Sequence, residues 1–177
     1  PLKQACAAIG QCELMYFYDK LFSDYSLNVA QVLLTKYVLL EDRRINVQNA
    51  LEELLAHNVI PVVNENDTVA IDELELEVGE NDSLAATVAT LVNADPLIIM
   101  SDIDGLYDSD PRNNPDAKRF DEISIDDVVA KGLGVVDGAA AVIAKENRMP
   151  MLVFGLAGTD SIIRAARGEI DGTRVTV

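Results

Sequence analysis

Short, wholly apolar runs set between stretches of helical periodicity constrain this chain more than any other feature. Val59-Ile60-Pro61-Val62-Val63 and Leu97-Ile98-Ile99-Met100 have no polar side chain to turn toward water. Such runs suit strands buried on both faces of a parallel sheet, although Pro61 removes one ladder donor. Around them the spacing predicts helices over Leu2–Tyr25, Asp42–His57 (closed by His57-Asn58), Ser83–Val92, Asp126–Ala130, Ala139–Glu146 and Ser161–Ala166. Further strands are expected over Asn28–Thr35, Met151–Leu156 and Thr173–Val177, with an acidic ribbon over Ile71–Val78 and a loop over Asp108–Ala117. The alternation gives an α/β fold: a mainly parallel sheet with helices on both faces. A length of 177 residues, 49% of them hydrophobic, supplies the core of one domain.

Charge excludes some partners. Fourteen lysines and arginines stand against thirty aspartates and glutamates, a net charge of −16. Nucleic acid and anionic membrane surfaces ask for a basic face, so neither is expected as a partner. No apolar run reaches the roughly 18 residues of a membrane span. Cys6 and Cys12, six apart in a helical stretch, fall on different faces, which argues against a disulfide or zinc site and for a cytosolic chain.

In parallel sheets ligands bind beyond the carboxyl ends of the strands. Two predicted strands end in polar clusters, Asn64-Glu65-Asn66-Asp67-Thr68 and Ser101-Asp102-Ile103-Asp104-Gly105. Gly79-Glu80-Asn81-Asp82 lies at the mouth of a helix that Asp82 can cap. Taken singly these read as turns; three together read as a site. From Ile45 to Pro111 there is no lysine or arginine. A site built there repels a bare anion but accepts an ammonium group, and accepts phosphates shielded by Mg2+. Phosphoryl transfer at such a site would need cations as well, and these would have to come from elsewhere. His57 reads as a helix-end residue, Arg43-Arg44 as plain helix surface, and Asp72, Glu73, Glu75 and Glu77 as a solvated face or subunit contact.

Several segments carry a resemblance. Lys3-Gln4-Ala5-Cys6-Ala7-Ala8-Ile9-Gly10-Gln11, Val29–Thr35, Asn64–Ala70 and Gly79–Ala86 resemble the glutamate 5-kinases of the amino-acid-kinase family. Ser101–Tyr107 followed by Asp110-Pro111-Arg112 is similar to the nucleotide-side segment of the wider family. This resemblance runs to about Lys118. From about Phe120 to Val177 the chain looks like bacterial UMP kinases of the same family, through Lys131–Asp137, Asn147–Pro150, Arg167-Gly168-Glu169 and Gly172-Thr173. The chain thus reads as a single, partial amino-acid-kinase domain in two parts.

The resemblance implies phosphorylation of the γ-carboxylate of L-glutamate by ATP with Mg2+, in proline biosynthesis. Asn64, Asp67 and Asn81 would hold glutamate, Asp82 would organise catalytic lysines, and Ser101, Asp102, Tyr107 and Asp110 would touch ATP. No residue is assigned as a direct metal ligand, and a homo-oligomer is implied. The sequence departs from the pattern in three ways. Glu80 stands for an aspartate, a Gly-Thr-Gly-Gly-Met-x-Thr-Lys segment is absent, and a strand with a lysine- and glycine-bearing phosphate loop would precede Pro1. Phosphorylation of UMP and a ligand-binding module without turnover remain as alternative readings.

Overall fold

The computed structural model describes residues 2–35, 41–69, 81–133, 136–156, 158, 160–169 and 171–177, without the side chains of 41 and 42. The predicted ribbon over Ile71–Val78, together with Gly79 and Glu80, lies outside the described residues. The chain divides into two compact units, Pro1–Glu77 and Val78–Val177.

The first unit contains α1 (Leu2–Ser23), β1 (Asn28–Leu34), α2 (Glu41–Ala56) and β2 (Val59–Glu65). β1 and β2 pair in parallel, from Asn28 opposite Val59 to Leu34 opposite Glu65. β2 is therefore two residues longer than its apolar run: Asn64 and Glu65, expected in a loop, pair with Leu33 and Leu34 at the strand's end. Asn58, at φ 55°, ends the α2 segment in the left-handed conformation that asparagine tolerates better than most side chains. The buried side chains of this unit include Leu34, Val47 and Leu51. α1 forms where predicted but has no buried residue; Ile9, Phe17 and Leu21, which mark its periodicity, are exposed.

The second unit contains α3 (Asn81–Leu91), β3 (Leu97–Ser101), β4 (Glu122–Ser124), α4 (Ile125–Lys131), α5 (Gly138–Glu146), β5 (Met151–Gly155), α6 (Ser161–Ala166) and β6 (Thr173–Thr176). Its sheet has the order β3-β5-β6-β4. β3 pairs with β5 and β4 with β6 in parallel, whereas β5 and β6 run antiparallel. The sheet is mainly parallel as expected, with this one reversal. β4 was not expected, because its three residues carry a single apolar side chain, Ile123, too little for a period to show.

Successive side chains of a strand face opposite sides, and this assigns the helices. Met151 and Val153 of β5 share a cluster with Leu97, Ile99, Val175, Ala86 and Ala89 of α3, Val128 of α4, and Ala140, Ala141 and Ala144 of α5. Leu152 and Phe154, on the other face, pack with Ala165 of α6. The second unit thus has helices on both faces of its sheet. Alanine at these α5 positions lets the helix lie close to the sheet and to α3. Ser124 caps α4 by accepting the Asp127 N–H at 3.1 Å, and Gly132 ends it at φ 58°. Among the described residues no helix is long and apolar enough to cross a membrane.

Candidate functional site

The expected glutamate-side residues begin in the first unit. Asn64 is half-buried at the end of β2. Its Nδ2 donates to Gln11 Oε1 at 3.1 Å and its Oδ1 accepts the Glu65 N–H at 2.9 Å. Gln11 Nε2 in turn donates to Gln31 Oε1 at 3.1 Å. The Asn64 amide is therefore oriented from α1 and β1, through two glutamines that residue type alone does not single out. Beyond β2 the Asn66 N–H donates to Leu34 O at 2.8 Å, which turns the chain at the end of the pair. Asp67 follows on that turn and is exposed.

In the second unit Asn81 is the exposed first residue of α3. Asp82 was expected as the cap of a helix beginning at Ser83; the helix begins at Asn81 and Asp82 lies in its first turn. A carboxylate there is favourable to the helix dipole without capping it. The half-buried Asp82 carboxylate instead accepts the backbone N–H of Asp137 at 3.4 Å. Asp137 is the N-cap of α5, accepting the Ala140 N–H at 3.3 Å, and the hydroxyl of buried Ser83 donates to the same carboxylate oxygen. This knot joins the starts of α3 and α5. Ser83 and Asp137 both lie inside the family-like segments, yet their mutual contact was not predicted.

The expected nucleotide side is the segment after β3. Ser101 ends the strand; its Oγ accepts the Ile103 N–H at 3.3 Å and donates to Asp102 Oδ1 at 3.2 Å. Asp102 is exposed, with Arg112 Nη1 3.8 Å from its carboxylate. Tyr107 donates its hydroxyl to Asp104 Oδ1 at 2.6 Å. The exposed Asp110 carboxylate accepts Arg112 N at 2.9 Å, Arg112 Nε at 3.1 Å and Asn113 Nδ2 at 2.8 Å, all from its own turn. The Arg112 backbone N–H foremost, with its side chain, holds this carboxyl below the usual range.

Three residues outside the expected set grip this segment. Arg119 bridges to Asp104 at 2.9 Å and to Asp171, the residue before the turn into β6. Buried Thr173 accepts the Leu106 N–H at 2.8 Å and donates to Phe120 O at 2.5 Å. A side chain at Gly105 would meet Thr173 Oγ1 at 2.6 Å and Arg119 Cδ at 2.8 Å. Glycine is required there because two elements close on the backbone. The Tyr107 hydroxyl foremost holds the Asp104 carboxyl below its ordinary range; burial opposes it, and the Arg119 charge adds to the lowering. The same hydrogen bond pushes the Tyr107 phenol up.

His57 lies 3.5 Å from Glu53, one helical turn away, and both are exposed; it belongs to the helix surface, as do the exposed Arg43 and Arg44. Cys6 and Cys12 are free and exposed. Among the described residues no group of three or more histidines, cysteines, aspartates or glutamates is arranged to hold a metal ion. No hydrogen bond or ion pair among them joins Asp82 to the loop over 101–110. The oxygen donors of Ser101 and Asp102 suit Mg2+ that arrives with phosphates, which uses one or two carboxylates and no protein cage.

Residues 2–155 match the sequence model described as Amino acid kinase family. The chain belongs to that family. Among its amino-acid-kinase relatives, a protein of Clostridium perfringens named glutamate 5-kinase is 46% identical over 186 residues, covering 97% of this chain and 69% of that protein. A glutamate 5-kinase of Carboxydothermus hydrogenoformans is 44% identical, covering 98% of this chain and 49% of the relative. The chain therefore spans from about half to about two thirds of the length of these relatives. In three dimensions it is similar to the UMP kinase of Ureaplasma parvum, with a TM-score of 0.62 at 23% identity over 88% of this chain and 63% of that one. That likeness shows a shared fold.

Proposed function

We propose that this chain is part of an enzyme that phosphorylates the γ-carboxylate of L-glutamate with Mg-ATP, as in proline biosynthesis. The observation that carries the reading is 46% identity to a glutamate 5-kinase across 97% of the chain. Asn64-Glu65-Asn66-Asp67 at a strand end and Asn81-Asp82 at a helix start support it, because those positions offer amides and carboxylates and no competing cation.

In this reading the exposed Asp67 carboxylate pairs with the glutamate ammonium, and the amides of Asn64 and Asn81 bind its carboxylates. Asn64 is suited to the task because its amide is already oriented by Gln11. Ser101, Asp102, Tyr107 and Asp110 contact ATP at the carboxyl end of β3. Mg2+ supplies charge neutralisation on the phosphates. A carboxylate oxygen of glutamate attacks the γ-phosphorus in line and ADP leaves, so the protein contributes mostly positioning and electrostatics. Asp82 organises the catalytic lysines, and its bond to Asp137 N–H keeps its carboxylate fixed. The two-part reading, with a UMP-kinase-like part from about Phe120, is retained as a proposal about descent. A homo-oligomer is proposed on the exposed apolar residues of α1, and a cytosolic setting on the two free cysteines.

The test is ADP release with L-glutamate or UMP as acceptor, with hydroxylamine added to trap an acyl phosphate. Glutamate-dependent ADP release with hydroxamate formation is expected. Release with UMP alone would favour the second reading, which the tail motifs support. Asp67→Ala is expected to raise the KM for glutamate on the order of 10- to 100-fold, the loss of one charged hydrogen bond.

A further inference from the structure

The geometry points to Arg119 as a positioning residue that fixes the Tyr107 hydroxyl and the segment after β3 for the nucleotide. This rests on the ATP reading of that segment and adds a residue to it. Arg119 comes from the arm that returns beside Tyr107, with which it forms an isolated antiparallel bridge. Its side chain is about four-fifths shielded, whereas the carboxylates of Asp104 and Asp171 are mostly exposed. A shielded guanidinium with two close carboxylate partners, and the exposed Asp121 carboxylate further off at 4.0 Å, is held in one orientation, and its planar fork transmits that orientation to Asp104 and Asp171.

One arm of the fork is anchored at Asp171, on the approach to β6. The other holds Asp104 Oδ2, and Asp104 Oδ1 accepts the Tyr107 hydroxyl. The chain Asp171–Arg119–Asp104–Tyr107 thus runs from the approach to β6 to one of the proposed ATP-contacting side chains. Arg119 itself is placed to act through this chain. The charged groups facing Tyr107 are Asp104, Arg119 and Asp171, so removing Arg119 has two opposite signatures. If Asp104 stays in place without its cation, the Tyr107 phenol is pushed further up. If Asp104 swings away, the phenol falls back toward the ordinary value of about 10.

The experiment compares the unaltered full chain with Arg119→Gln, Arg119→Lys and Asp171→Asn. Calorimetry reads Mg-ATP and L-glutamate affinity, and phenolate absorbance reads the tyrosines, five in a chain without tryptophan. Arg119→Gln is expected to weaken Mg-ATP on the order of tenfold or more while glutamate affinity stays constant. The most alkaline tyrosine titration is expected to move down. Arg119→Lys should recover part of both, and Asp171→Asn, which cuts one arm only, should show a smaller shift in the same direction and serves if Arg119→Gln does not fold. Unchanged Mg-ATP affinity, an equal loss for both ligands, or an upward phenolate shift would overturn the positioning role. If the unaltered chain binds no Mg-ATP but the phenolate still moves down in Arg119→Gln, the ATP reading fails while Arg119's hold on Tyr107 stands.

Discussion

The loops that end β2 and β3 carry the two halves of the proposed chemistry, and they are held in different ways. Beyond β2, Asn64 is oriented by neutral amides on α1 and β1, and Asp67 lies exposed on the turn. Beyond β3, the chain is gripped by an arginine fork, a buried threonine and a glycine that admits them. The cores behind them differ in the same sense: α1 has no buried residue, whereas α5 buries Ala140, Ala141 and Ala144. A loop inherits its definition from the layer beneath it. One proposed half-site is held by charged and buried partners within its own unit, and the described part of the other by neutral amides.

Phe154, 1% exposed between the β5 backbone and α6, is where this contrast is broken most severely. Phe154→Ala is expected to cost about 3–5 kcal/mol in denaturant unfolding. Thr173→Val comes next. It leaves the Leu106 N–H and the Phe120 carbonyl without their shared hydroxyl, at about 1–3 kcal/mol, and isotope exchange at Leu106 should accelerate.

Acid sharpens the comparison further. The Asp104 carboxyl is lowered in the folded chain, so its contribution is fully present above the unfolded value of about 4 and is lost as pH falls through the lower folded value. The stability difference between the unaltered chain and Asp104→Asn is expected to be constant near neutrality and to close below about pH 4. At the small end stands Phe17→Ala on α1, 58% exposed, expected to change the chain's stability by less than about 0.5 kcal/mol. A larger loss that depends on protein concentration would show that another copy covers the helix.

These contrasts also explain what the sequence made legible. α6 lies at its predicted boundaries, Ser161–Ala166, and the other helices fall within one or two residues of theirs, because periodicity and caps are local properties. Asn64, Asp67, Asn81, Asp82, Ser101 and Asp102 sit in polar clusters at predicted strand ends and a helix start, but it was the family resemblance that nominated them, together with Tyr107 and Asp110 in the loop that follows. The reversal of β6 could not be read, since pairing direction leaves no mark on a four-residue strand. Nor could the roles of Gln11, Arg119, Asp137, Asp171 and Thr173. Arg119 and Asp171 are 52 residues apart, Asp82 and Asp137 are 55 apart, and no spacing rule reaches across such distances. Periodicity placed α1 but reports only an apolar stripe and not what covers it; in the described residues that stripe is exposed.

The hydrogen bond from Leu106 to Thr173 closes across 67 residues, and this sets an order on biosynthesis. While the chain is being made, the segment after β3 leaves the ribosome long before β6 exists to receive it. Until then its backbone donor has only water, and its glycine remains free to wander. The proposed nucleotide side is therefore among the last parts of the second unit to take shape, even though the strand that precedes it is among the first to be synthesised.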